Sequence, residues 1–170
     1  FSGELGIYPN KKNHLHLNKN AVPIHKRAYP VQNKHLDVFK HKLERIVHIG
    51  VLSPCKESEW GAPTIIIPKK DERICWITDF WELNKCLKWH VYPLPHIGKV
   101  LRHQTGYKFL TKLDISMCYY TFELDDESKD LCTIVTPFGN YRYNCLPMGV
   151  RQSPDVTQAI MEEVLCNIQD

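Results

Sequence analysis

Five consecutive charged residues, 69–73, separate two apolar runs in the stretch "GAPTIIIPKKDERICWITDF". A charged tip between runs rich in β-branched residues predicts a β-hairpin, with strands at 64–68 and 74–79 and the turn at 69–73. A lone hairpin is not stable in water, so its apolar face needs more strands or a helix. Other segments can supply both. From Gln32 onward, Leu36, Phe39, Leu43, Ile46 and Val47 fall at helical spacing, and Gly50 supplies a stop. "TIVTPFGNYRYNCL" reads as a second hairpin, turned by Pro137, Phe138, Gly139 and Asn140. Residues 96–103 suit a short helix, and 108–115 and 120–124 read as strands. In "SPDVTQAIMEEVLCNIQ", Ser153 is the expected N-cap, Pro154 takes the first helical position and Asp155 favours the dipole. Val156, Ile160, Val164 and Ile168 then share one face. The expected fold class is α+β, in the order helix, hairpin, helix, strands, hairpin, helix. Residues 1–31 are polar and punctuated by proline, an extended arm preceding a folded body over 32–170.

With 170 residues and 43% hydrophobic content, the chain can build one real core. Its charge is unevenly placed. Residues 1–112 carry 19 Lys/Arg against 9 Asp/Glu, whereas 113–170 carry 3 against 10. A basic front half and an acidic back half suggest a polyanion partner beside a site that could hold cations. Seven scattered cysteines without a CxxC pair predict free thiols in an intracellular setting. The nine histidines include His14-x-His16 but no HExxH and no zinc-like spacing with cysteine. No apolar run approaches the length of a membrane span. The chain opens on Phe1 and stops inside an apparent helix, and so reads as a fragment.

The strand expected at 108–115 ends on a carboxylate, Asp114, followed by Tyr119 and Tyr120. An aspartate in that place is most often a turn-starter. Its context says more. "YKFLTKLDISMCYYTFELD", "TPFGNYRYNCLPMGVRQSPD" and "WITDFWELNK", with "IGVLSPCKESEWGAPTIIIPKKD" and "YPLPHI", resemble the reverse transcriptase of gypsy-type LTR retrotransposons and retroviruses. The resemblance spans about 15–170, and several motifs in the right order make it specific.

The resemblance implies a partial right-hand polymerase, fingers and palm, with an antiparallel palm sheet and flanking helices. It implies an RNA-directed DNA polymerase that adds dNTPs to a primer 3′-hydroxyl on an RNA or DNA template-primer, using Mg²⁺ or Mn²⁺. Asp114 matches the first of three metal-holding catalytic aspartates, and the amide of Ile115 would face the triphosphate. Tyr119 matches an aromatic gate against the ribose 2′-hydroxyl, with Tyr120 assigned to the core. Met148 and Gly149, in "LPMGVRQSP", match the loop against the incoming nucleotide. Lys69, Lys70 and Arg73 sit where the family places cations on the triphosphate, although charged hairpin tips are commonplace. Trp60 and Gly61, in "SEWGAP", match a segment along the template, where the indole either stacks on a base or anchors the hairpin.

The other two aspartates belong to an aromatic-x-Asp-Asp hairpin that does not occur in these 170 residues. Asp125 and Asp126 lie in an expected polar turn beyond the next strand and are not substitutes. The resemblance thus implies missing palm, thumb, RNase H and integrase segments of a polyprotein, and an isolated chain without activity. Cys75, Trp81 and Cys145 stand where the family or its near members show Arg, and Glu72 replaces a turn glycine. Arginine changed to Cys or Trp is what C-to-T transitions in CGN codons produce, which points to a decaying element copy. Neither a thiol nor an indole replaces bidentate guanidinium contacts. The alternative is a non-catalytic nucleic-acid-binding remnant or pseudogene product.

Overall fold

The structure, a computed structural model, describes residues 4–9, 11–69, 73–89, 92–93, 96–103, 106, 108–109 and 111–166. Its centre is a five-stranded sheet assembled from the two expected hairpins. The first comprises β2 (Ala62–Pro68) and β3 (Ile74–Thr78), antiparallel from Thr64 opposite Thr78 to Pro68 opposite Ile74. The second comprises β4 (Thr133–Thr136) and β5 (Gly139–Tyr143), whose close turn needs Gly139 at φ 122°. A short β1 (Leu52–Pro54) flanks β5, giving the order β1-β5-β4-β2-β3. The hairpins meet by a parallel junction of two residue pairs, Ala62 with Ile134 and Pro63 with Val135. The Thr64 hydroxyl extends that junction, donating to the Val135 carbonyl at 3.1 Å.

Helix α1 (Leu36–His48) follows a 3₁₀ turn at Asn33–His35 and covers one face. Its Phe39 is fully buried, edge-on to Trp76 at 5.0 Å and to Phe138 at 5.6 Å. Gly50, at φ 81°, ends the helix with a left-handed residue. Three shorter helices follow along the chain: α2 (Trp81–Cys86), α3 (Ile97–His103) and α4 (Asp126–Leu131). The last is α5 (Ser153–Leu165), with Ile160 buried and Val164 half exposed; Ile168 lies outside the described residues.

Residues 11–26 run extended across this body. Asn13 bridges Leu124, Leu17 bridges Leu87 and His25 bridges Gly61. Leu15 is buried, and its amide donates to the Ser128 hydroxyl at 2.8 Å.

Four local expectations change. Residues 111–115 form no strand, and Phe109, Leu113 and Ile115 are 90%, 79% and 49% exposed. A strand exists only through its ladder, and no described residue pairs with this one. The strand expected at 120–124 is instead a 3₁₀ turn, Cys118–Thr121, entered by Met117 at φ 55°, with isolated bridges at Glu123 and Leu124. The polar turn at Asp125 and Asp126 is α4, because the Asp125 carboxylate accepts from the Ser128 amide at 2.9 Å and caps it. Ser153 does not cap α5. It is buried, and its hydroxyl donates back to the Pro147 carbonyl at 2.9 Å.

Candidate nucleotide and nucleic-acid site

A cavity of about 600 Å³ opens between α1, β3, the 117–120 turn and the loop before α5. Ile46, Trp76, Ile77, Met117, Tyr120 and Met148 make its lining largely apolar, and Lys42 and Arg45 add two cations. Lys42 donates to the Ile74 carbonyl at 2.9 Å, and partial burial lowers its pKa. Tyr120 and Tyr143 also line it, and burial holds both phenols neutral by raising their pKa values. Such a space, mostly apolar with a few charged groups, suits a small organic ligand carrying negative charge.

Met148 and Gly149 form one rim. Leu146 and Val150 are buried on either side, so Met148 is pushed out to 65% exposure, and Gly149 takes φ 93°. Three side chains fix this loop. Asn84 of α2 donates to the Gly149 carbonyl at 2.8 Å and accepts from the Arg151 amide at 2.7 Å. Gln152, buried, accepts from the His16 amide and donates to the His16 and Lys88 carbonyls. Ser153 closes the loop on Pro147. Helix α2 is itself started by Asp79, whose carboxylate accepts from the Trp81 amide at 3.0 Å and from the Tyr29 hydroxyl at 3.1 Å.

The structure brings Met148 and Gly149 together with Cys75 on this cavity; Tyr120 lines it, while Tyr119 packs half-buried against the core. Asp114 and Ile115 stand exposed in the unpaired segment before it. Among the described residues no three His, Cys, Asp or Glu side chains group as a metal site. Lys69 and Arg73 are exposed at the hairpin tip, joined by the Lys69 amide donating to the Arg73 carbonyl at 2.7 Å; Lys70 lies outside the described residues. Trp60 is buried in the core, 7% exposed, so its indole anchors the segment and offers no open face for a base. Gly61 lies under the His25 ring, where an added Cβ would come within 2.5 Å of it. Trp81 is 66% exposed and therefore does not sit in a packed cation site.

Sequence reasoning missed Lys42, Arg45, Asn84 and Gln152. Asn84 lay inside a motif already singled out, "WITDFWELNK", but its partners are backbone groups 65 and 67 residues away. No local spacing announces such a contact.

Residues 67–170 match the family described as reverse transcriptase (RNA-dependent DNA polymerase). The chain belongs to the reverse transcriptase family. Its relatives include an uncharacterized protein of Caenorhabditis elegans, 30% identical over 171 residues, covering 99% of this chain and 13% of that protein. The Pol polyproteins of the Drosophila melanogaster transposons 297 and gypsy are 24% and 26% identical. They cover 96% and 84% of this chain, which spans 16% and 14% of their lengths. The fold matches the crystal structure of a prototype foamy virus protease-reverse transcriptase (CSH mutant) with TM-score 0.85 and 22% identity. That match covers all of this chain and 23% of the viral one. A foamy viral protease-reverse transcriptase in complex with an RNA/DNA hybrid matches with TM-score 0.81 and 18% identity, over 99% of this chain and 22% of that one. The α+β fold of a retroviral reverse transcriptase is thus reached through the sheet and helices described above.

Proposed function

We propose that this chain is the fingers and partial-palm portion of a retrotransposon polymerase, with an N-terminal segment over 1–31 laid across a body over 32–170. In a complete polyprotein it serves to add dNTPs to a primer 3′-hydroxyl on an RNA or DNA template-primer. The observation that carries this reading is the cavity shared by β3, the 117–120 turn and the Met148–Gly149 rim. There the incoming nucleotide packs its sugar and base on Met148 and Gly149. Its triphosphate faces the cations of the fingers, Lys69 and Arg73 at the tip and Lys42 and Arg45 below, with Lys70 added from its place in the sequence. Ile115 offers its amide, and Tyr119, next to the cavity-lining Tyr120, is the gate residue by its place in the motif. Trp60 and Gly61 act on the template through the backbone they anchor.

The family's Mg²⁺ or Mn²⁺ would supply the charge that activates the primer hydroxyl and neutralises the triphosphate. The described residues do not fit such a centre. Asp114 is an exposed carboxylate with no group of further ligands around it, and clustered carboxylates are what two metals at catalytic spacing require. The isolated chain accordingly binds nucleotide without polymerising it.

Photolabelling with an azido-dATP, followed by peptide mapping, tests the reading. Attachment within 75–78, 117–120 or 148–149, displaced by unlabelled dATP, is the expected result. Labelling confined to other segments, or none at all, overturns it.

A further inference from the structure

The pair His14-x-His16 has no part in the nucleotide cavity. It lies in the extended N-terminal segment, where Asn13 and Leu15 turn inward and are buried while both histidines stay exposed on the outer face. Residues i and i+2 of a strand share a face about 6.6 Å apart. Here the two rings lean closer, with centroids 4.9 Å apart and an interplanar angle of 67°. Two imidazoles bonded to neighbouring positions of one metal ion at about 2.0–2.1 Å have ring centres about 5 Å apart.

The surroundings hold both histidines in place. His14 Nδ1 is 2.6 Å from Asp125 Oδ2. An ionised carboxylate only accepts, so Nδ1 donates to Asp125 and Nε2 becomes the basic nitrogen of His14. The other oxygen of Asp125 accepts from the Ser128 amide at 2.9 Å, which fixes the carboxylate on α4. Carboxylates placed in this way behind a histidine orient the ring of metal-ligating imidazoles. His16 is fixed through its backbone: its amide donates to Gln152 Oε1 at 3.0 Å, and its carbonyl accepts from Gln152 Nε2 at 3.2 Å and from the Lys88 amide at 2.8 Å. Both histidines line a cavity of about 400 Å³, with room for an ion and its waters, and Asp155 adds a negative charge to the same wall.

We propose that His14 and His16 form a binding site for a divalent transition-metal ion of the Zn²⁺, Ni²⁺ and Cu²⁺ class, with Asp125 as the positioning residue behind His14. Among the described residues no three His, Cys, Asp or Glu side chains group as a metal site, so two nitrogens and water make up the shell. Imidazole suits these ions, whereas Mg²⁺ takes oxygen ligands. The proposal does not depend on the polymerase reading.

NiCl₂ is the probe, because the ion favours imidazole and is paramagnetic. Calorimetric titration of the full chain at neutral pH should show Ni²⁺ binding that MgCl₂ does not displace. His14→Ala and His16→Ala should each weaken it at least tenfold. Asp125→Asn keeps a side-chain oxygen for the α4 cap but removes the charge, and should weaken binding roughly tenfold. His41→Ala, on α1, should leave it unchanged. In carbon–proton NMR spectra of the parent chain, substoichiometric Ni²⁺ should broaden the ring signals of His14 and His16 before those of the other seven histidines. Even broadening across all nine overturns the site, and so does Ni²⁺ affinity that survives either alanine variant. Full affinity in Asp125→Asn removes the positioning role. The NMR readout uses the unaltered chain, so it decides even where a variant fails to fold.

Discussion

The carboxamide of Asn84 holds the Gly149 carbonyl at 2.8 Å and the Arg151 amide at 2.7 Å, so one side chain on α2 grips the loop before α5 from both sides of Val150. Replacing it with alanine leaves two backbone groups without these partners. Asn84→Ala is expected to lower stability by about 1–2 kcal/mol in urea unfolding. It should also speed hydrogen exchange at the Arg151 amide. Asn84→Asp keeps the acceptor for Arg151 but turns an oxygen towards the Gly149 carbonyl. It should therefore protect the Arg151 amide while still destabilising the loop. Unchanged Arg151 exchange in the alanine variant would show that the clamp does not hold the rim.

Cys75 lines the cavity beside the fingers cations. Alkylation by iodoacetamide, quantified per cysteine by mass spectrometry, should be slowed at Cys75 by saturating dNTP. Cys166, exposed on the far end of α5, should react at the same rate with or without nucleotide. Equal protection at both would mean that the nucleotide acts on the whole chain and not by filling this cavity.

Asp125 connects acid stability to the cap of α4. Burial works to raise its pKa, but hydrogen bonds from Ser128 and His14 outweigh that and hold it below the ordinary 3.8. With the folded value depressed, the stabilisation is present above the ordinary carboxylate pKa and is lost as pH falls through the folded one. Asp125→Ala should cost about 1 kcal/mol near neutral pH. It should also flatten the fall in thermal stability below pH 4, where the parent chain gives up the same contact. A variant with an undiminished acid transition would rule Asp125 out as its source.

Gly61 tests the close approach of the extended N-terminal segment. The bridge there uses the Gly61 amide to the Ile24 carbonyl at 3.0 Å and the Lys26 amide to the Gly61 carbonyl at 2.9 Å. Gly61→Ala should displace the His25 ring at a cost of about 1 kcal/mol, within the range for overpacked sites. Because the ring is exposed, His25→Ala in the same chain should restore most of that. Strict additivity of the two changes in a double-mutant cycle would deny the contact.

Both hairpins were legible because each strand's partner lies a few residues away, across a turn whose composition is distinctive. Helix α1 was legible through the spacing of Phe39 and Leu43. Helix α2 was not, because it begins directly after a strand, with its first amide held by the Asp79 carboxylate, and its six residues are too few to show a helical repeat. The strand expected at 108–115 shows the opposite error. Its apolar residues suit a sheet, yet pattern cannot supply the neighbour whose amides complete the ladder. At the site, Met148, Gly149 and Cys75 line one cavity with Lys42 and Arg45, which come from a helix read only for its buried face. Gln152 and Ser153 looked like a loop end and a cap; their burial turned both inward, onto His16, Lys88 and Pro147.

Within these 170 residues the extended segment is made before the body it crosses and is satisfied last. Its partners include Gly61, Lys88, Glu123, Ser128 and Gln152, so the hydrogen bonds of His16 wait for a residue 136 positions later. At typical synthesis rates of roughly 5–20 residues per second, that delay is on the order of ten seconds. During that time Leu15 and Leu17 have no core to enter. A nascent neighbour on the same message, displaying a finished body with an unfilled groove, could accept them instead. Translation on crowded polysomes therefore carries a built-in hazard of exchanging this segment between copies, which dilute synthesis would avoid.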